Sequence, residues 1–206
     1  MCCRYYYEDF EIELRELMKS EMVVKLSDLP SVEKGRRDVY PSQSSVVIHG
    51  SRENGTRERA IGASEMVWGF SNPVRKGLII NARAEAAREK VTFAESIARR
   101  RCVIPASGFY EWDQHKAKFR FTSMDGGLLL FAGFYREEQG VPRYTILTTE
   151  ANGSMIKVHD RMPVMIGRNE IRPWIEDDTR LSDFLSREQV PLACDQESGQ
   201  ISFMFE

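Results

Sequence analysis

The chemistry of this chain starts at Cys2. With Met1 removed, Cys2 would carry a thiol and a free α-amine on adjacent carbons. Such a 1,2-aminothiol condenses with an aldehyde. The amine attacks first to give an imine, and the thiol then closes a five-membered thiazolidine ring. An α-amine titrates near ~8, far below a lysine at ~10.4, so a useful fraction is neutral and nucleophilic near pH 7. The small side chain of Cys2 favours loss of Met1. Read alone, Met1-Cys2-Cys3-Arg4 is also an ordinary start to a strand containing cysteines, so the weight falls on what else the chain offers.

Three stretches offer partners. Glu111 stands in an apolar and aromatic frame of Phe109, Tyr110 and Trp112, and strand alternation puts it on the face opposite Tyr110 and Trp112. If that face is dry, the carboxylate is suited to general acid/base work; if it is wet, Glu111 is a surface charge. His159 precedes Asp160-Arg161-Met162-Pro163, a rigid turn of the kind that holds functional residues on a scaffold, and histidine is the usual proton shuttle near neutral pH. Its other reading is a ring bonded within its own turn. Asn81 follows Leu78-Ile79-Ile80, so it is expected at the end of a buried strand. There its amide can orient a small reactive group through one donor and one acceptor or simply cap the strand. Arg83, two residues on, can point the same way and suits bidentate contact with a phosphate.

The elements that must position these residues are short. Residues 3–7 read as an aromatic-rich strand. Residues 9–19 carry Phe10, Leu14, Leu17 and Met18 at helical spacing. Residues 20–40 read as loop with breakers at Pro30 and Gly35, and Tyr40-Pro41-Ser42-Gln43 as an extended approach to a strand at 46–49. Asn54-Gly55 signals a hairpin between that strand and another at 60–70. Thr92-Phe93-Ala94-Glu95 has the pattern of a capping box starting a helix that runs to about Arg100. One strand is expected over 102–112. Strands at 119–123 and 128–135 flank Asp125-Gly126-Gly127 as a further hairpin, and another strand spans 144–149. Residues 151–157 suit one or two helical turns, 164–166 a strand, and 174–185 one or two short helices. Short strands in hairpins without βαβ alternation indicate an α+β fold with mainly antiparallel sheet.

Composition sets outer limits. A chain of 206 residues with 42% hydrophobic and 29% charged residues is a soluble globular protein, read here as a single domain. No apolar run reaches the ~18 residues a membrane span needs, and the acidic turn at Glu8-Asp9 fits neither a signal nor a transit peptide. The expected compartment is therefore the cytoplasm, where Cys2, Cys3, Cys102 and Cys194 would be reduced thiols. Their spacing, without C-x-x-C or paired histidines, gives no zinc site, and no metal or cofactor is expected. A net charge of −2 argues against coating nucleic acid by bulk charge. It leaves room for a local groove lined by Arg4, Arg36-Arg37, Arg75-Lys76, Arg83 and Arg161.

The motifs carry a resemblance. Met-Cys-x-Arg at the start, Asn81-Ala82-Arg83-Ala84-Glu85, Gly108-Phe109-Tyr110-Glu111-Trp112, the run 145–151 and His159-Asp160-Arg161-Met162-Pro163 resemble, in family order, the SRAP proteins. These are the SOS-response-associated peptidase, or abasic-site processing, proteins. Trp68-Gly69 and 101–105 also fit, and the motifs lie within residues 1–167, leaving helices and a tail over 168–206. The resemblance implies an SRAP fold, a distorted barrel-like core of mainly antiparallel mixed sheets with peripheral short helices. It also implies binding of single-stranded DNA and a covalent thiazolidine between Cys2 and the ring-opened sugar of an abasic site. Carried onto this chain, Asn81 would hold Cys2 and the sugar. Glu111 would act on the amine and transfer protons. His159 would assist opening of the sugar ring and reversal of the cross-link. Arg4, Arg83 and Arg161 would grip phosphates, with Tyr40, Pro41, Trp68, Thr148 and Met162 near the strand. The expected protein is a monomer in the cytoplasm, joining the nucleoid during repair. The chain departs from the family at Cys3, where glycine is usual. Cys3 adds bulk and a second thiol beside the first.

The tail Gln200-Ile201-Ser202-Phe203-Met204-Phe205 loosely resembles peptides that bind the replication sliding clamp, and reads otherwise as a closing edge strand. Two other functions remain open on the sequence: a single-stranded DNA binding module without a covalent step, and a thiol hydrolase using Cys2 or Cys102 with His159.

Overall fold

In the computed structural model, residues 3–8, 10–20, 35–51 and 60–197 are described. Met1, Cys2, the Asn54-Gly55 turn and the clamp-like tail lie outside them. The strands in chain order are β1 (Tyr5–Glu8), β2 (Arg36–Val39), β3 (Ser44–Ser51), β4 (Ala60–Trp68), β5 (Phe70–Ser71), β6 (Leu78–Ile79) and β7 (Asn81–Arg83). They continue with β8 (Arg101–Ala106), β9 (Gly108–Trp112), β10 (Lys118–Ser123), β11 (Leu129–Glu138), β12 (Val141–Glu150), β13 (Arg161–Pro163) and β14 (Leu192–Glu197). The helices are α1 (Phe10–Ser20), α2 (Ala84–Ala87), α3 (Val91–Arg99), α4 (Ile171–Glu176) and α5 (Leu181–Ser186).

The fold is α+β and mostly antiparallel, as the sequence predicts. One sheet runs β11-β8-β3-β4-β12, and β11 also pairs with β12, so these five strands close into a small barrel. β13 and β7 extend β12 beyond the ring, β7 in parallel. The other sheet runs β14-β10-β9-β1-β2, and an Arg36–Glu197 contact of 3.7 Å links its two edge strands. Tyr5 joins the sheets. Its hydroxyl bonds Ser45 Oγ at 2.6 Å and Tyr144 Oη at 2.5 Å, and its ring lies 5.1 Å from Trp68 and 6.0 Å from Phe131. It thus touches β3, β12, β4 and β11, four of the five barrel strands. Helices α3 and α4 brace the outside of the barrel. Phe93 of α3 packs 5.5 Å from Phe134, and Trp174 Nε1 of α4 donates to Cys102 O at 2.8 Å.

Several local expectations are corrected. Residues 102–112 are two strands in different sheets, broken at Ser107. At Gly108 an added Cβ would stand 2.6 Å from Tyr6 Oη and 2.7 Å from Phe121 O, so only glycine lets the chain pass at this point. Likewise Asp125-Gly126-Gly127 does not close a hairpin: β10 and β11 belong to different sheets, and the turn carries the chain between them. The hairpin at this part of the chain is β11–β12, turned by Gln139 and Gly140 at φ 53° and 79°. Residues 36–39, read as loop, form an edge strand on β1. Tyr40-Pro41-Ser42-Gln43 is a tight turn with Ser42 at φ 72°, not an extended run. The capping box at Thr92 is not made; α3 starts from Lys90 without a side-chain cap. Asn81 begins a strand instead of ending one.

Candidate functional site

The predicted site residues fall into two groups, and one buried column of side chains joins them.

The first group lies on β1, β2 and β9. Tyr110 N–H donates to Arg4 O at 2.9 Å, so the antiparallel register of β1 on β9 continues past Tyr5. That register sets Cys3 opposite Glu111, on the face shared by Tyr5 and Phe109. Glu111 is 3% exposed, which answers the open question of its face: it is the dry one. Cys3 is exposed as a residue, yet partial burial of its thiol, with the Glu111 carboxylate beside it, pushes that thiol up. Glu111 therefore faces Cys3 across the strand pair. On the other face, Arg4 pairs with Asp38, and its guanidinium lies 4.9 Å from the Tyr110 ring and 5.0 Å from Tyr40. Tyr40 is 41% exposed beside Pro41, so this corner offers a cation and an aromatic to solvent.

The second group is assembled around β12. Parallel pairing sets Asn81 against Ile146 and Arg83 against Thr148, and antiparallel pairing sets Pro163 on the far side of Thr148. Asn81 Oδ1 is a buried atom. Arg83 is exposed at the start of α2. Arg161 donates to both carboxylate oxygens of Glu85, at 2.6 and 2.9 Å, and to Thr148 O at 2.6 Å. The hydrogen bonds from Arg161 hold the Glu85 carboxyl below the ordinary carboxylate range. Glu85 lies in the quoted motif, but nothing in its spacing marks it as the counter-ion of a residue 76 positions away.

His159 sits just before β13. Its Nδ1 accepts the Arg161 backbone N–H at 2.9 Å, so in the neutral ring the proton rides on Nε2. Asp160 Oδ1 stands 3.0 Å from the same Nδ1. A protonated ring would turn that nitrogen from acceptor to donor and exchange the backbone contact for the carboxylate.

Three residues expected near a bound strand face inward instead. Trp68 is 0% exposed, Thr148 1% and Met162 1%. The indole of Trp68 donates to Ile80 O at 2.9 Å, the residue before Asn81, and its backbone bonds Ser42 and Gln43 in the Tyr40–Pro41 turn. With its ring against Tyr5, Trp68 ties the first group to the second. Its ring is enclosed by the fold. Cys102 is fully buried, and desolvation pushes its thiol well up, so it is removed as a candidate nucleophile.

The chain has relatives among known proteins. The family model for SOS response associated peptidase (SRAP) matches residues 1–198. The chain belongs to that family. The abasic site processing protein YoaM of Bacillus subtilis is 34% identical over 180 residues, covering 80% of this chain and 77% of that one. YoqW of Bacillus phage SPbeta, also named an abasic site processing protein, is 33% identical over 80% of this chain and 78% of its own. A crystal structure of a Bordetella bronchiseptica protein superposes with a TM-score of 0.73 at 24% identity, covering 96% of this chain and all of that one. A Bacteroides thetaiotaomicron protein does so at 0.70 and 17%. These structures share the fold of the chain.

Proposed function

We propose that this SRAP protein processes abasic sites in single-stranded DNA by cross-linking them covalently to Cys2 after Met1 has been removed. The supporting observation is the register of β1 on β9, which holds the dry carboxylate of Glu111 opposite Cys3, one residue from Cys2.

The chemistry proceeds in balanced steps. His159 assists opening of the deoxyribose ring, which exposes an aldehyde at C1. The α-amine of Cys2 adds to that carbon while Glu111 accepts the proton the nitrogen gives up. Loss of one water leaves an imine. The Cys2 thiol then adds to the imine carbon, its proton passes to nitrogen, and the thiazolidine closes. Asn81 holds the amine and sugar in place through its amide. Removal of Met1 is in this reading a self-directed peptidase step, with Cys2 as nucleophile and Glu111 as proton carrier. The protein works in the cytoplasm, at the nucleoid, as a monomer.

The test is mass spectrometry of the protein mixed with a single-stranded oligonucleotide bearing one abasic site. Expected is a stable adduct on protein lacking Met1, and none with Cys2→Ala. No adduct on fully processed wild type refutes the covalent reading. If Cys2→Ala binds and protects the strand as well as wild type does, the protein is a non-covalent binding module.

A further inference from the structure

A second histidine is built into the barrel wall. His49 on β3 lies directly opposite Gly62 on β4, and Ser64 stands two residues further along β4, opposite Val47. Strand alternation places both side chains on the face that carries Ser45 and Trp68. His49 is four residues along β3 from Ser45, the residue that holds Tyr5, or about 13 Å at ~3.3 Å per residue. His49 Nε2 lies 3.0 Å from Ser64 Oγ, and His49 Nδ1 lies 3.3 Å from Gly50 O. The Tyr135 ring packs edge-on against the imidazole at 5.5 Å. His49, Ser64 and Tyr135 are all partly exposed, so the group is open to solvent.

The hydrogen bonds fix the tautomer. Gly50 O can only accept, so Nδ1 carries the proton and donates it. Nε2 keeps its lone pair and accepts from the Ser64 hydroxyl. His159 has the opposite tautomer, its Nδ1 accepting a backbone N–H. Burial lowers the pKa of His49 from its ordinary value, which keeps the ring neutral near pH 7. A hydroxyl aimed at a neutral imidazole nitrogen, with the other nitrogen anchored, is the arrangement that activates a serine nucleophile. Gly62 leaves room for a reactant. A Cβ added there would meet no atom of the described residues within 4 Å, so the glycine opens a notch opposite His49.

We propose that Ser64 and His49 form a serine–histidine dyad that hydrolyses small activated esters, a second reactive site independent of Cys2. His49 Nε2 takes the Ser64 proton as Oγ adds to the ester carbonyl carbon. The tetrahedral adduct collapses, the bond to the leaving-group oxygen breaks, and His49 returns the proton to that oxygen. The products of this half are an acyl-Ser64 ester and an alcohol. Water then adds to the acyl carbon and gives a proton to Nε2. The bond to Oγ breaks, Ser64 takes that proton back, and a carboxylic acid departs.

The experiment uses the full-length protein, with p-nitrophenyl acetate as substrate and a fluorophosphonate as covalent probe, the labelled peptide being located by mass spectrometry. Expected are release of p-nitrophenol and a probe adduct on Ser64, both of which persist in Cys2→Ala. Ser64→Ala should abolish the adduct. His49→Gln should slow its formation by about 10²–10⁴-fold, and Gly62→Val, which fills the notch, should slow it as well, each in protein that melts cooperatively. Should His49→Gln fail to fold, Ser64→Ala and Gly62→Val decide in its place. No adduct on wild type, an adduct only on another residue, or labelling of Ser64 at the wild-type rate in His49→Gln overturns the proposal, and the pair is then a structural hydrogen bond. Ser64→Ala should still form the abasic-site adduct on Cys2, so either reading can fail without the other.

Discussion

Glu111 in the first group and Arg161 in the second are held in place by different means. On β1 and β9, Glu111 is placed by burial: a strand register and an apolar frame keep it dry beside Cys3. Around β12 and β13, Arg161 is placed by charge, through Glu85 and the Thr148 carbonyl. A carboxylate in a dry frame is suited to proton transfer, whereas an ion-paired arginine with three bonds is a structural group. The same kind of substitution should therefore have different consequences in the two places.

The sharpest separation comes from Glu111→Gln. It keeps shape and removes the proton acceptor, so the single-turnover rate of adduct formation should fall by about 10²–10⁴-fold, in protein that still melts cooperatively. A loss of stability without a loss of rate would reverse the assignment. Trp68→Ala removes the link between the two groups and should cost about 3–5 kcal/mol in urea unfolding, as for other buried aromatic truncations. Arg161→Ala should cost about 1–3 kcal/mol, chiefly by leaving the Thr148 carbonyl unsatisfied, since Glu85 is half exposed. The smallest effect is one of pH. The folded-state value of Glu85 is depressed, so its contribution is present above the ordinary carboxylate value near ~4.3 and is lost as pH falls through the lower folded value. The stability difference between wild type and Glu85→Gln should shrink on going from pH ~6 to pH ~3. A difference that grows on acidification would break the charge half of the comparison.

The sequence was legible where one period or one motif sufficed. Leu14 and Leu17 marked a helix, and the alternation at Tyr110-Glu111-Trp112 gave the face of Glu111 correctly. It was opaque wherever partners are distant. Arg36-Arg37-Asp38 looks like a solvated loop because an edge strand needs no apolar alternation when it lies on aromatic rings: Arg36 stands 4.1 Å from the Tyr6 ring. Asp125-Gly126-Gly127 announces a reversal but cannot say which strand the returning chain will join. Trp68 reads as a base-stacking surface because aromatic type alone does not distinguish a surface ring from one whose N–H is satisfied by Ile80 O.

The position of β1 in its sheet has a consequence for timing during synthesis. It lies between β2 and β9, so one of its edges has no partner until residue 109 has left the ribosome. At 5–20 residues per second that interval is roughly 5–20 s. Cys3 and Glu111 cannot meet before it ends. Any trimming of the first residue that depends on Glu111 is thus an act of the finished fold, while a separate aminopeptidase can reach the nascent end well beforehand.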